Sequence, residues 1–341
     1  MRLFNLPPVW MAPMAGEAAS AALVAAVCEG GGFGQLGAAY LSPARIAEVA
    51  ADLRARTRQP FGINLFCPQA WAPDARAMSA YLERLAAWHA ELSLPPPTLP
   101  TQFEEDFEAQ LAAAIAAKPA VISFVMGDPG AVRVAALQAL GIRVVGTATQ
   151  VAEGLALQAS GVDAVVAQGY EAGGHRGGFL GTAEGAQIGT MALVPQLVDA
   201  LDIPVIAAGG IADARGVAAA QALGASAVTV GTAFLLVDEC PLSAPYRQAL
   251  LDATDADSTL TRAFSGRFAR GVANRVTREL DGVALPAFPQ PNAASRPMRQ
   301  AAAKAGRADF ISLWAGQALA VNRAPGTAAQ LVQALAKGWR A

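Results

Sequence analysis

An apolar run leads directly into two glycines in the segment Pro204-Val205-Ile206-Ala207-Ala208-Gly209-Gly210-Ile211-Ala212-Asp213. About 20 residues further along the chain, a second apolar run ends in the turn Thr229-Val230-Gly231-Thr232-Ala233-Phe234. Short apolar runs bounded by glycine or proline are typical of strands buried on both faces, as in parallel sheets. The two segments therefore predict consecutive parallel strands, each followed by a glycine-rich turn.

The same pattern recurs along most of the chain, with alanine-rich amphipathic segments between the apolar runs. Strands are predicted at residues 9–14, 34–36, 62–66, 121–125, 143–147, 164–168, 204–208 and 227–230. Helices are predicted at residues 18–29, 43–56, 74–90, 129–140, 151–160, 191–201, 214–223 and 242–254. Eight alternations are what a closed (β/α)8 barrel requires, whereas a doubly wound sheet usually has fewer and places a GxGxxG turn after its first strand. Here that turn reads Ala15-Gly16-Glu17, so the sequence predicts an α/β fold, a (β/α)8 TIM barrel.

Three regions of the chain are predicted around this barrel. Residues 1–254 form the barrel itself, interrupted by a proline-rich insert at about residues 91–118 that ends in a helix at 105–117. Residues 255–310 break the alternation and are predicted to form a smaller, mainly helical cap on the barrel mouth, with a helix at 298–305. Residues 311–341 are predicted as C-terminal helices that return to the barrel wall, the first of them at 312–321.

Composition excludes several classes of function. The formal net charge of the 341 residues is -2, which argues against nucleic-acid binding because that needs a clustered basic face. The three cysteines form no CxxC or Cys/His cluster, so we expect no metal site and a reduced, cytoplasmic chain. No apolar stretch of about 18 residues suggests a membrane span, and the N-terminus lacks the apolar region of a signal peptide.

One of the two histidines stands in the most glycine-rich turn, Gln168-Gly169-Tyr170-Glu171-Ala172-Gly173-Gly174-His175-Arg176-Gly177-Gly178. The turn follows a predicted strand, so it should lie at the C-terminal face of the barrel, where active sites are built. Glycines let the backbone approach a ligand closely, and a histidine can move a proton near neutral pH. We therefore expect His175 at the reacting centre; the alternative is a loop histidine that only caps its turn.

Two further features suggest where a ligand would bind. Gly209, Gly210 and Gly231 follow the seventh and eighth predicted strands, where barrels commonly bind a phosphate through backbone N–H groups and a helix N-terminus. Thr232 would add a hydroxyl donor there. Asn64 stands in an apolar strand, so its amide must find partners, either in the core or in a flat heterocycle such as a flavin.

An ordered series of motifs closely resembles the nitronate monooxygenase family, formerly called 2-nitropropane dioxygenases. The motifs are Ala12-Pro13-Met14, Gly62-Ile63-Asn64-Leu65-Phe66, Ser123-Phe124, Gly146-Thr147-Ala148-Thr149, the turn from Gln168 to Gly177, Ala208-Gly209-Gly210-Ile211, Gly231-Thr232-x-Phe234 and Trp314-Ala315-Gly316-Gln317. They follow one another from about residue 8 to residue 320, which is nearly the whole chain. Each motif alone is weak, and the ordered series is specific.

The resemblance implies FMN as cofactor and assigns roles by position. It implies that Asn64, Gln168, Gly173 and Gly174 lie at the flavin, and that Ala12, Pro13 and Met14 lie against its ring. Gly209 and Gly210, with Thr229, Val230, Gly231 and Thr232, are implied at the phosphate. His175 matches the family's active-site histidine. One departure concerns the cap, where Phe288 stands at a place at which we would expect a tyrosine, so the substrate preference of the family does not transfer automatically.

The resemblance implies an FMN-dependent oxidoreductase that oxidises alkyl nitronates with O2, as a monomer or homodimer. A nearby alternative is another FMN barrel, either an NAD(P)H:quinone reductase or an enoyl-thioester reductase. A more distant alternative is a non-redox lyase or isomerase that binds a phosphorylated metabolite. Lys118, Lys304 and Lys337 lie away from the predicted strand ends, which disfavours a Schiff-base lyase.

Overall fold

The computed structural model describes residues 3–181, 186–321 and 326–340. Its strands are β1 (Val9–Met11), β2 (Gln35–Gly37), β3 (Gly62–Phe66), β4 (Val121–Val125), β5 (Arg143–Ala148), β6 (Ala164–Gln168), β7 (Gly174–His175), β8 (Val205–Ala208), β9 (Ala227–Val230), β10 (Ser258–Thr261) and β11 (Ala269–Val272). Its α-helices are α1 (Ala21–Glu29), α2 (Pro43–Arg56), α3 (Ala75–Glu91), α4 (Phe107–Ala116), α5 (Ala131–Ala139), α6 (Val151–Ala159), α7 (Thr190–Ala200), α8 (Ala214–Ala222), α9 (Ala244–Asp252), α10 (Arg275–Glu279), α11 (Gln290–Ala294), α12 (Arg296–Lys304) and α13 (Ala328–Ala336).

Eight parallel strands form the barrel, in the order β1-β9-β8-β6-β5-β4-β3-β2. The ring closes between β1 and the start of β2, where the Phe33 N–H donates to Val9 O and the Met11 N–H donates to Phe33 O, each at 2.9 Å. The predicted (β/α)8 barrel is therefore confirmed. Strands β3, β4, β6 and β9 have the predicted bounds, and the other barrel strands differ at their ends by one to three residues.

The lower half of the barrel interior is a packed apolar core. Trp10 and Phe33 meet there with ring centroids 4.6 Å apart. Around them packs one inward-facing residue from each of five strands: Val121, Val145, Ala164, Ile206 and Ala227. Because side chains alternate along a strand, the next inward-facing positions lie one layer higher. Those positions line a cavity at the C-terminal end of the barrel, and the apolar core forms its floor.

A small antiparallel sheet in the order β10-β11-β7 packs beside this cavity and was not predicted from the sequence. Strand β7 contains two residues only and follows no alternating pattern, so its pairing with β11 depends on the tertiary structure. Helices α10, α11 and α12 complete the predicted, mainly helical cap. The domain limits at residues 254 and 310 stay a prediction.

The predicted helix at 312–321 is wrong. Trp314 forms a β-bridge with Gly271, and the Val272 N–H donates to Leu313 O at 2.8 Å, so the start of this segment is an extended chain beside β11. Only Gln317–Ala320 turns, as a 3-10 helix. Of the predicted C-terminal helices, α13 is present, and residues 322–325 and 341 of that region lie outside the described residues.

Candidate active site

A cavity of about 600 Å³ opens at the C-terminal ends of the barrel strands. The lining includes His175 and all but one of the predicted cofactor residues: Ala12, Pro13, Met14, Asn64, Gln168, Gly173, Gly174, Gly209, Gly210, Thr229, Gly231 and Thr232. The exception is Val230, whose side chain is buried in the barrel wall and whose carbonyl accepts a hydrogen bond from the Ala12 N–H at 2.8 Å. Segments from one end of the sequence to the other thus meet around one space.

His175 lies on β7, paired with Ala269 of β11, and its ring is enclosed by aromatic side chains. The ring centroids of Phe288 and Trp314 are 5.6 Å and 5.7 Å away, and that of Phe66 is 6.1 Å away. Burial, with added repulsion from the Arg267 and Arg299 cations, lowers the pKa of His175 to about 3. The imidazole is therefore neutral throughout the physiological pH range.

Gln168 holds the turn that carries His175. Its Oε1 accepts hydrogen bonds from the Gly177 N–H at 2.7 Å and from Arg176 Nη1 at 3.2 Å. Its Nε2 donates to the His175 carbonyl at 3.0 Å. The side-chain amide thus binds its own loop at both ends, which fixes the loop over the end of β6.

Arg176 is a structural residue of this loop. Its side chain neither points to solvent nor stays free for an anionic substrate. Its guanidinium is buried and donates to backbone carbonyls, at 2.7 Å to Gly169 and 3.0 Å to Ala186. Burial, reinforced by the nearby Arg270 charge, lowers the pKa of Arg176 to about 10, which still leaves it cationic at neutral pH.

The turns after β8 and β9 form one end of the cavity. Gly209 and Gly210 have φ angles of +104° and +71°, which L-residues with side chains rarely adopt. Thr229 Oγ1 is buried and has no hydrogen-bond partner among the described residues. Thr232 Oγ1 accepts from the Gly316 N–H at 2.8 Å, so its own proton remains available. The predicted helix N-terminus contributes less here, because the Asp213 carboxylate already caps α8.

Another part of the cavity, the cap end, is formed partly by the cap, and sequence reasoning missed its residues. Arg296 and Arg299 of α12 and Tyr40 line this end. Arg299 donates to Asn292 O at 2.7 Å and to Ser295 Oγ at 3.2 Å, and neither arginine forms an ion pair within the described residues. The Tyr40 hydroxyl is buried and has no hydrogen-bond partner among the described residues. This end therefore carries positive charge.

Asn64 and Ser123 lie side by side on the cavity wall with Gln35, which sequence reasoning missed. Asn64 Nδ2 donates to Ser123 O at 3.1 Å and to Ser123 Oγ at 3.0 Å. The Ser123 hydroxyl donates to Gln35 Oε1 at 3.3 Å. A glutamine at the start of a buried strand was the available signal for Gln35, since a buried amide needs partners.

These features fit a phosphorylated, planar cofactor. Gly209 and Gly210 place backbone without side chains at one end of the cavity, and Thr229, whose buried hydroxyl has no partner among the described residues, lines the same space. Backbone N–H groups in glycine turns are common phosphate ligands. Asn64 and Met14 line the same cavity together with apolar residues of the strands. The donors and the apolar walls match the phosphate and the ring of a flavin mononucleotide.

The sequence of the chain is similar to those of known proteins over nearly its whole length. A family model described as nitronate monooxygenase matches residues 1–338. The chain is 42% identical over 341 residues to the nitronate monooxygenase of Paraburkholderia phytofirmans, covering 96% of this chain and 91% of the relative. It is 38% identical over 317 residues to the probable nitronate monooxygenase of Staphylococcus aureus strain Newman, covering 91% of this chain and 88% of the relative.

The chain is also similar to proteins of known structure. Nitroalkane oxidase from Streptomyces ansochromogenes superposes with a TM-score of 0.91 at 41% identity, covering 98% of this chain and 95% of that chain. FabK from Thermotoga maritima is more distant, with a TM-score of 0.74 at 27% identity, covering 98% of this chain and 93% of that chain. Among the residues that the structure describes, no helix is long and apolar enough to cross a membrane.

Proposed function

The chain belongs to the nitronate monooxygenase family, and from that premise we propose that it oxidises alkyl nitronates with O2 on a bound FMN. The products would be a carbonyl compound and nitrite or a related nitrogen oxide. FMN, when bound, would accept electrons from the substrate and pass them to O2, which is chemistry of the cofactor and not of the side chains. The contribution of this chain is to bind, orient and enclose the reactants.

The charge at the cap end of the cavity is the observation that carries the proposal. Arg296 and Arg299 line this end and form no ion pair in the described part of the chain, so both cations can attract an anion that enters, although the Glu17 and Glu171 carboxylates line the cavity as well. A nitronate is an anion, whereas its conjugate nitroalkane is neutral. We propose that the two arginines favour the nitronate as the bound form.

The neutral state of His175 agrees with this preference. A group whose pKa is about 3 is a weak base at neutral pH, so removing a proton from a neutral nitroalkane would be inefficient. A neutral imidazole can still hydrogen-bond a substrate that is already an anion. We propose that His175 binds and orients the nitronate, and that the surrounding rings of Phe66, Phe288 and Trp314 keep water away from it.

The remaining cofactor and partner assignments follow as proposals. Ala12, Pro13, Met14, Asn64, Gly173 and Gly174 would contact the flavin, with Gly209, Gly210, Thr229, Gly231 and Thr232 at its phosphate. Gln168 would act through the loop that it holds. We also propose that the protein works in the cytoplasm as a monomer or homodimer; three buried cysteines without a disulfide agree with a reducing compartment.

The test follows the visible flavin band of the as-isolated protein under anaerobic conditions. The protein is mixed in parallel with ethyl nitronate, with neutral nitroethane and with NADH. We expect prompt bleaching by the nitronate, much slower bleaching by nitroethane, and none by NADH. Bleaching by NADH alone would instead assign the chain to the reductases on the same barrel. Colourless protein that takes up no added FMN would contradict the proposal altogether.

A further inference from the structure

A second cavity, of about 560 Å³, lies beside the first and shares part of its wall. Tyr40, Phe66 and Arg296 line both cavities. The Phe66 ring contacts further rings of this wall, since its centroid lies 5.6 Å from that of Tyr40 and 6.3 Å from that of Phe288, which lines the second cavity. The volume is within the range of about 300–1,000 Å³ that is typical of small-molecule sites.

The second cavity begins one aromatic ring away from His175. The Phe66 and Phe288 rings in its wall have their centroids 6.1 Å and 5.6 Å from that of the imidazole. A substrate whose head group hydrogen-bonds His175 therefore has the second cavity next to it, behind side chains that can change rotamer without movement of the backbone. Rotation of the Phe66 ring would join the two spaces and admit an extended substituent of the substrate.

Most of the large side chains around the second cavity are apolar. They include the aromatic rings and prolines of three separate segments: Phe66, Pro68, Phe103, Phe107, Phe288 and Pro289. The Phe103 ring is itself supported by Trp71, with the two ring centroids 5.4 Å apart. A hydrocarbon chain that leaves water for such a surface gains free energy in proportion to the apolar area that it buries.

The charges of the lining differ between the two sides of the second cavity. Arg296 stands in the wall that this cavity shares with the first. Glu104, Glu105 and Asp106 line it just before α4, and because Glu104 and Asp106 are exposed, their side faces solvent. Three carboxylates repel an anion and attract a cation. The cavity thus suits a chain whose anionic head group stays in the first cavity and whose far end is neutral or cationic.

We propose that the second cavity binds the carbon chain of the substrate, so that the preferred substrates are medium-chain alkyl nitronates whose far end carries no negative charge. The inference rests on the proposed function, from which it takes the anionic head group at His175. It extends that function by assigning a substrate class. It also gives Ala39 and Phe103, which line the second cavity and not the first, a role in substrate specificity.

The first measurement follows kcat/KM of the FMN-loaded protein for straight-chain nitronates from ethyl to octyl. In wild type it should rise roughly 3-fold per added methylene along the series, through KM, because each buried methylene adds a similar transfer free energy. Ala39→Leu takes up part of the second cavity, so the rise should stop at a shorter chain while the value for ethyl nitronate stays unchanged. Phe103→Ala removes apolar wall and should lower the rise to roughly 2-fold per methylene.

Ala47→Leu is the matched control, because Ala47 is exposed on α2 and lines neither cavity. It should keep the wild-type dependence on chain length. A wild-type value that does not rise with chain length would overturn the inference. The same chain-length profile in wild type, Ala39→Leu and Phe103→Ala would also overturn it, since the chain would then lie elsewhere.

The second measurement uses charge to locate the far end of the chain, without turnover. Octanedioate and ω-aminooctanoate share a carboxylate head group and differ in the sign of the charge at the other end. Calorimetric titration of the FMN-loaded protein at low ionic strength should give roughly 5- to 20-fold tighter binding of ω-aminooctanoate, because its ammonium group would face the three carboxylates. The difference should shrink in Glu105→Gln. Tighter binding of octanedioate would place the far end beside Arg296 and Arg299 in the first cavity and overturn the inference.

The two measurements distinguish failure of this inference from failure of the proposed function. Oxidation of ethyl nitronate with no dependence on chain length contradicts the inference and leaves the proposed function intact. A protein that oxidises no nitronate removes the proposed function, whereas the calorimetric titrations still show whether the second cavity takes up a carbon chain.

Discussion

His175 Nε2 lies 2.9 Å from Ser265 Oγ, across the boundary between the barrel loop and the small antiparallel sheet. Ser265 is fully buried, and its hydroxyl also lies 3.0 Å from the Arg267 carbonyl. A hydroxyl with one proton can donate to only one of these two neighbours, so the tautomer of the imidazole is coupled to the direction of this hydrogen bond. The orientation of the His175 ring therefore depends on a residue 90 positions away.

Replacing Ser265 tests that relationship. In Ser265→Ala the imidazole loses its only side-chain hydrogen-bond partner among the described residues. The value of kcat/KM for a nitronate should then fall roughly 5-fold, because one neutral hydrogen bond contributes about 1 kcal/mol. The FMN content should not change. Ser265→Cys, which keeps a weak hydrogen-bonding group of similar size, should recover part of the loss. Steady-state kinetics with unchanged kcat/KM in Ser265→Ala would contradict a positioning role.

The lowered pKa of His175 has a consequence for stability. Between about pH 3 and pH 6.5 the unfolded chain binds a proton at this residue and the folded chain does not. The unfolded state thus holds more protons in that window, and the free energy of unfolding should fall with decreasing pH by up to about 1.4 kcal/mol per pH unit from this group. Below about pH 3 both states are protonated and the contribution stops changing.

Chemical denaturation of the FMN-saturated protein at pH 4.5, inside the window, and at pH 7.5, above it, measures this pH dependence of the free energy of unfolding. His175→Asn should lose part of the pH dependence and be relatively more stable at the acidic value. Equal pH slopes in wild type and His175→Asn would show that the histidine is not buried as a neutral group.

Two glycine substitutions distinguish an effect on FMN binding from the cost of backbone strain alone. Gly210→Ala places a side chain at φ +71° on the cavity surface, with its Cβ 3.4 Å from Glu171 Cβ. Gly141→Ala, at φ +77°, meets nothing within 4 Å and lies outside the cavity lining. Both substitutions should cost about 1–2 kcal/mol of stability. Only Gly210→Ala should raise the dissociation constant of FMN, by roughly 10-fold, in fluorescence titrations.

The unpartnered Thr229 hydroxyl predicts opposite effects on binding and stability. Thr229→Val keeps the shape and removes a buried polar atom that has no partner among the described residues. The Tm of the flavin-free protein should therefore stay the same or rise. The dissociation constant of FMN should increase roughly 5- to 50-fold if this hydroxyl bonds the phosphate. A hydrogen bond to a charged group contributes about 1.5–3 kcal/mol to the binding free energy, and the cost of desolvating the phosphate offsets part of it.

Thr149→Val is the matched control for that experiment. Its hydroxyl donates to Glu153 Oε2 at 2.8 Å and does not line the cavity. Here the Tm should fall and the FMN affinity should remain. A Thr229→Val protein that loses stability but binds FMN normally would place the hydroxyl outside the phosphate site.

The charge at the cap end can be tested with salt. Arg296→Gln should raise KM for a nitronate roughly 3- to 10-fold at low ionic strength with little change in kcat, because it removes a charge that attracts the anion. The difference from wild type should shrink at high ionic strength, since salt screens the interaction. Arg45→Gln, which removes an exposed arginine on α2 away from the cavity, should behave like wild type at every salt concentration.

The barrel and most of its cavity residues could be read from the sequence, because local pattern determines them. A strand buried on both faces must be apolar, and a turn with positive φ favours glycine, so β8 with Gly209 and Gly210 is visible without any tertiary information. The same holds for the glycine-rich turn that carries His175. Where the sequence failed, as at residues 312–321, the helical composition was overridden by pairing of Trp314 with Gly271 of β11.

Only the tertiary structure determined what surrounds those residues. Ser265, Arg296 and Arg299 come from the cap, and no spacing in the sequence relates them to His175 or Asn64. The direction of the Asn64 amide depends on Gln35 and Ser123, from two other strands. Protonation state, tautomer and amide orientation arise from burial and from hydrogen bonds between distant segments, so they exist only once the chain has folded.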